Sequence, residues 1–118
     1  MANRTVTIGF SPLNRMELRN ALRNLDARGE ISAAERLLAF RQIEDDLDSG
    51  FLLHIAVNWT ETFRRADVLS EEFAARKGQR AIDLLHVAIA LEAEATMFLS
   101  FDARQRRLAA AIGLRVRP

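Results

Sequence analysis

The sequence predicts an α/β fold: a parallel sheet of about four strands flanked by helices, within one domain of 118 residues. Three observations carry this prediction. Short β-branched or apolar runs alternate with helical patterns, and such alternation favours parallel strands joined by helical crossovers. Most of the helical patterns open on a recognisable cap. One of them, Ala81 to Ala95, is apolar nearly all round and therefore calls for a central, buried place.

In chain order, Thr5 to Phe10 (TVTIGF) is the first strand. Ser11-Pro12 starts a helix, with serine as cap and proline in the first turn. Leu13, Met16, Leu18, Ala21, Leu22 and Leu25 form its apolar stripe, and Arg28-Gly29 closes it. Ser32 to Glu35 is an S-x-x-E capping box opening a second helix through Leu47, which Asp48-Ser49-Gly50 ends. Phe51 to Val57 (FLLHIAV) is the second strand. Asn58 to Glu61, N-x-x-E, opens a helix that reaches about Lys77-Gly78. The apolar helix Ala81 to Ala95 follows. Thr96 to Ser100 (TMFLS) is the third strand, Asp102 to Gln105 (D-x-x-Q) caps a short helix ending at Gly113, and Leu114 to Val116 is the fourth strand.

Composition narrows the class. Half the residues are hydrophobic, which suits a packed domain and not a disordered chain. The absence of cysteine excludes a disulfide scaffold, a thiolate zinc site and a cysteine nucleophile, and it suits a reducing, cytoplasmic setting. No apolar run reaches membrane-spanning length, and the N-terminus lacks the layout of a signal peptide. A net charge of +1 does not announce a nucleic-acid binder. Yet Lys77 is the only lysine among seventeen cationic residues. Arginine is the better fork for phosphate and carboxylate, although genome-wide base composition produces the same bias.

Three acids fall near strand ends, where parallel α/β sheets place their ligands. Glu17 lies in the first turns of the helix after strand one. Asp102 directly follows strand three. Asp83 stands among Ile82, Leu84, Leu85, Val87 and Ile89, where a carboxylate is costly unless a positive charge answers it. If the three meet, their mutual repulsion calls for a hard divalent cation such as Mg²⁺ or Mn²⁺. Each also has a structural reading: Glu17 at a helix dipole, Asp102 as an N-cap, Asp83 in a salt bridge with Arg80. His86, one turn after Asp83, either assists the site or satisfies a backbone carbonyl. Ser100 either orients Asp102 or serves the strand-end turn. Arg104, Arg106 and Arg107 either meet phosphates or form a solvated helix face. His54 has no acidic partner in prospect, and Trp59 and the phenylalanines read as packing.

The segments SPLNRMELRNAL and RAIDLLHVAIALEAEATMFLSFDARQRRLAAAIGLRV together resemble PIN-domain ribonucleases of the VapC toxin type. The shared pattern is S-x-L-x-x-x-E-x-x-x-A-L, then D-x-x-H-x-A-x-A, then a strand followed by [ST]-F-D-x-R-Q-x-x-L-A-x-x-x-G-L-x-V. It spans Thr5 to Val116. The resemblance implies a metal-dependent endoribonuclease with an acidic cluster that binds Mg²⁺ or Mn²⁺. Glu17, Asp83 and Asp102 fall on its second, third and fourth acidic positions. It also implies an RNA substrate, a homodimer, and a small antitoxin as partner in a type II toxin–antitoxin pair.

One departure accompanies the match. The family's first strand, with its Y-x-D-[TS]-like motif and the helices after it, has no counterpart here, so the expected fold is N-terminally incomplete. On this reading the sheet lacks its central strand, and strand one must pair with strand three or borrow a strand from another chain. A start codon placed too late, a gene fragment and a folded remnant without catalysis are the alternatives. Asp26, Glu30 and Asp67 are available as substitute acids, but none follows a strand. A catalytically inactive domain that only binds antitoxin or dimerises is the rival function.

Overall fold

The computed structural model describes residues 8–74, 80–95, 97–100 and 102–118. Its elements follow from the local chemistry of their ends. Strand β1 (Ile8–Phe10) runs directly into Ser11, whose side chain accepts the Asn14 backbone N–H at 3.0 Å while Asn14 reaches back to the Ser11 N–H at 3.0 Å. These reciprocal bonds start helix α1 (Pro12–Ala27). The predicted S-x-x-E box is formed in the same way between Ser32 and Glu35, and it opens α2 (Ala33–Ser49). Gly50 stops α2 in a left-handed conformation, φ 83°, which a Cβ would strain. Strand β2 (Leu52–His54) then pairs parallel with β1, Ile8 opposite Leu52 and Phe10 opposite His54. Gly9 has a packing role in this ladder, because a Cβ there would stand 2.7 Å from Ile55 Cδ1.

These elements make the first of two compact units, Met1–Ala56; the second is Val57–Pro118. The second opens with α3 (Trp59–Leu69), capped by Asn58 through the Glu61 N–H, and α3 continues into a single π-helical turn, Ser70–Ala74. The expected helix to Lys77-Gly78 is thus borne out as far as residue 74, and its remainder lies outside the described residues. Helix α4 (Ala81–Glu92) is the apolar one, and Leu84, Val87, Ala88 and Ile89 are all buried. Strand β3 (Met97–Leu99), helix α5 (Ala103–Ala111) and strand β4 (Arg115–Arg117) complete the unit. Strands β3 and β4 are parallel, with Phe98 opposite Val116. Ala66 and Leu69 of α3, the α4 residues Leu84, Val87 and Ala88, Phe98 of β3, Leu108 and Ala109 of α5, and Leu114 make one apolar core.

The α/β class and the parallel direction hold. The expected single sheet of about four strands differs: among the described residues the strands form two ladders, β1–β2 and β3–β4. Each ladder joins strands that follow one another through a helical crossover, the pairing with the shortest loop to close. Strand one therefore pairs with strand two, and no pairing of β1 with β3 occurs among the described residues. The second strand covers only Leu52–His54 of the expected Phe51 to Val57, the fourth lies one residue later than expected at Arg115–Arg117, and Thr5 to Thr7 and Thr96 of the first and third lie outside the described residues.

Two stability changes follow from this packing. Leu108 is 2% exposed, so Leu108→Ala should cost about 2–5 kcal/mol in urea unfolding. Thr62 is fully buried, and its hydroxyl has no hydrogen-bond partner among the described residues. Thr62→Val should therefore raise the unfolding free energy by roughly 1 kcal/mol in the same measurement, because it removes an orphaned buried polar group.

Candidate metal centre in the second unit

Two helix N-termini of the second unit carry the acids. Arg80 is extended (φ −82°, ψ 152°) and occupies the N-cap of α4. Asp83, three residues on, turns its carboxylate back towards the Arg80 backbone N–H, 3.4 Å away. A first-turn carboxylate is favoured there by the helix dipole. The same residue supplies a second contact: the Arg80 guanidinium folds over Asp83 as a fork, Nε to Oδ2 at 3.1 Å and Nη2 to Oδ1 at 3.3 Å. The Arg80 Nη2 also reaches Asp102 Oδ2 at 3.5 Å.

Asp102 is the N-cap of α5. Its Oδ1 accepts the backbone N–H groups of Arg104 (2.9 Å) and Gln105 (3.3 Å), leaving Oδ2 towards Arg80. Ser100 Oγ accepts the Asp102 N–H at 3.0 Å and donates to Gln105 Oε1 at 2.9 Å. The Gln105 amide then donates to Asp83 Oδ1 at 3.3 Å. Arg80, Asp83, Gln105, Ser100 and Asp102 thus form a closed ring of hydrogen bonds.

The ring settles the charge of Asp83. Its side chain is 0% exposed, and burial alone would push the carboxyl up. The hydrogen bonds from the Arg80 and Gln105 side chains, the Arg80 charge and the Arg80 backbone N–H outweigh burial and hold the carboxyl below its ordinary value. Asp83 is therefore an anion at neutral pH. The two carboxylates offer hard oxygen donors around one point of positive charge. Such a pair suits Mg²⁺ or Mn²⁺, which bind through one or two carboxylates and keep several waters. Zinc is not matched by these donors.

The sequence-predicted residues divide as follows. Asp83 and Asp102 come together through Arg80, and their structural readings, salt bridge and N-cap, are both realised. Glu17 belongs to the first unit and is the sixth residue of α1; that helix has no acid in its first turn, so a dipole role does not account for it. Among the described residues no three His, Asp or Glu side chains group in a way that could hold a metal ion. His86 is buried on α4, and His54 is exposed on β2. Ser100 serves the turn and the ring at once. Arg106 is bound to the Ser100 and Pro118 carbonyls at 2.8 and 3.1 Å, whereas Arg104 and Arg107 are exposed. Of the substitute acids, Asp26 pairs with Arg36 and Glu30 with Arg28, while Asp67 lies exposed on α3. Trp59 and Phe63 differ from the packing expected of them: both are exposed, their rings 6.2 Å apart.

Two parts of the site escape a reading of the sequence. Gln105 was visible only as the end of a D-x-x-Q cap, not as a donor to Asp83. Arg80 was visible as a partner of Asp83, but its reach to Asp102 depends on how α4 and α5 pack.

The lowered Asp83 carboxyl has a consequence for stability. A group depressed in the folded state contributes stability that is fully present above its unfolded value of 3.8 and is lost as pH falls through the folded value. The stability difference between the wild type and Asp83→Asn should accordingly be constant near pH 7 and shrink below about pH 4, in urea unfolding across that range.

Comparison with curated proteins found no match, and neither did comparison with solved structures. Among family models, that of the PIN domain matches residues 2–111. This match spans both units and includes Glu17, Asp83 and Asp102, so the chain belongs to the PIN domain family.

Proposed function

We propose that this chain is a metal-dependent endoribonuclease, the toxin component of a type II toxin–antitoxin pair, working as a single PIN-like domain over residues 1–118. Membership of the PIN family supports the reaction class. The observation that carries the reading is the meeting of Asp83 and Asp102 around one cationic point.

Asp83 and Asp102 are the residues assigned to hold Mg²⁺ or Mn²⁺, and Glu17 is assigned as a third acid on its place in the family motif alone. Bound there, the ion supplies Lewis acidity to a phosphodiester oxygen and lowers the pKa of water. The chain's own part is placement. Asp83 is locked in ionised form by its hydrogen bonds, so it offers charge without first losing a proton. Asp102 is anchored by Oδ1 to the start of α5, so Oδ2, which meets Arg80, is the oxygen it would offer to an ion. Gln105 and Ser100 link the two aspartates by hydrogen bonds. RNA is the substrate in this reading, with water attacking the phosphodiester. Homodimer and antitoxin contacts draw support from exposed apolar side chains, Met16, Leu37 and Leu38 on α1 and α2. Among the described residues no helix is long and apolar enough to cross a membrane.

One observation favours a second reading, an inactive domain that only binds antitoxin or dimerises. Arg80 already supplies the two aspartates with positive charge from within the chain. The assay that separates the readings is cleavage of RNA with Mg²⁺ or Mn²⁺ by the wild type, Asp83→Asn, Asp102→Asn and Glu17→Gln, each checked for folding by circular dichroism. The nuclease reading expects cleavage by the wild type and losses of at least about a hundredfold in the variants. Equal rates would end the catalytic assignment, and capture of a small partner by a chain without cleavage would favour the second reading.

A further inference from the structure

We infer that Arg80 and the divalent ion compete for the same two carboxylates, so that metal binding requires the Arg80 guanidinium to leave. This rests on the proposed metal site and adds to it a residue that sets its affinity.

The geometry supports an exchange. One nitrogen of Arg80, Nη2, stands 3.3 Å from Asp83 Oδ1 and 3.5 Å from Asp102 Oδ2, so a single positive group already bridges the two carboxylates. A guanidinium and a divalent ion bound to the same oxygens would repel each other at close range, in surroundings less screened than bulk water. The two occupants therefore exclude one another.

The parts are suited to that exchange. Asp83 is fully buried and fixed by Gln105 and the Arg80 backbone N–H, so it stays in place when the guanidinium departs. Arg80 is the member open to solvent, with its side chain 53% exposed against 0% for Asp83. The backbone bond from Arg80 to Asp83 does not depend on the side chain. Charge also favours exchange over joint occupancy. Two carboxylates are balanced by a single divalent ion, whereas Arg80 alone leaves them one charge short.

The test measures metal binding, not cleavage. Mn²⁺ would be titrated into the whole wild-type chain and into Arg80→Gln, followed by calorimetry and by loss of the free-ion electron paramagnetic resonance signal. Arg80→Gln should bind at least about tenfold more tightly, because the competing charge is gone. A nitrogen-15 spectrum of the wild type gives a readout independent of the variant's folding: the Arg80 Nε–H resonance should shift towards that of a solvent-exposed arginine as Mg²⁺ is added. Equal or weaker Mn²⁺ binding by a folded Arg80→Gln, or an Arg80 resonance unmoved at Mg²⁺ saturation, would overturn the exchange while leaving the metal site standing. No binding by either protein would overturn both.

Discussion

A buried aspartate with its charge kept is the constraint on which the second unit turns. Asp83 sits at the start of an apolar helix, fully enclosed, where an ionised carboxyl is costly without partners. Its partners come from three directions: the backbone and guanidinium of Arg80, and the amide of Gln105. Meeting that need ties the beginning of α4 to the beginning of α5. Ser100 extends the tie to the end of β3. The register of two helices and a strand is thus set where the acids lie, and the apolar core of Leu84, Val87 and Leu108 fills in behind. The pair is not a closed one, because Arg80 is half in water, and solvent weakens its share of the bond.

The two units are held by different means. In the second, a contiguous cluster of apolar side chains backs the polar ring. In the first, the buried residues among those described are Phe10, Ser11 and Ile43, and two reciprocal caps and the ion pairs Arg36–Asp26 and Arg15–Glu44 join them. The Phe40 ring is covered by the guanidinium groups of Arg19, Arg23 and Arg36, with carbon-to-centroid distances of 4.3, 5.2 and 5.5 Å. Here the arginine bias of the sequence has a local effect: flat cations lie over an aromatic ring.

What was legible in the sequence was what depends on nearest neighbours. Ser11, Ser32, Asn58 and Asp102 each cap the helix expected of them, and Gly50 ends α2 in the conformation that glycine permits. The burial of α4 followed from its having no polar face, and the Arg80–Asp83 pair from the cost of its lone acid. What was not legible depends on partners distant in sequence. Strand pairing is decided by crossovers, and three-residue strands carry almost no periodic signal, so two ladders could not be told from one sheet. The π-helical turn at Ser70–Ala74 has no composition that marks it. The contact from Gln105 to Asp83 spans 22 residues, and only the packing of α5 on α4 creates it.

Asp102 divides its labour between two oxygens, one spent on the backbone of α5 and one turned to Arg80. This gives the residue two independent reasons to persist through evolution. A lineage that lost all chemistry would still suffer for replacing Asp102 with alanine, since the helix would lose its cap. Asparagine or serine would satisfy the cap but not the guanidinium. The informative drift at this position is therefore from aspartate to another capping residue. A run of descendants carrying asparagine or serine at 102 would mark the point at which selection kept the helix and let the charge go.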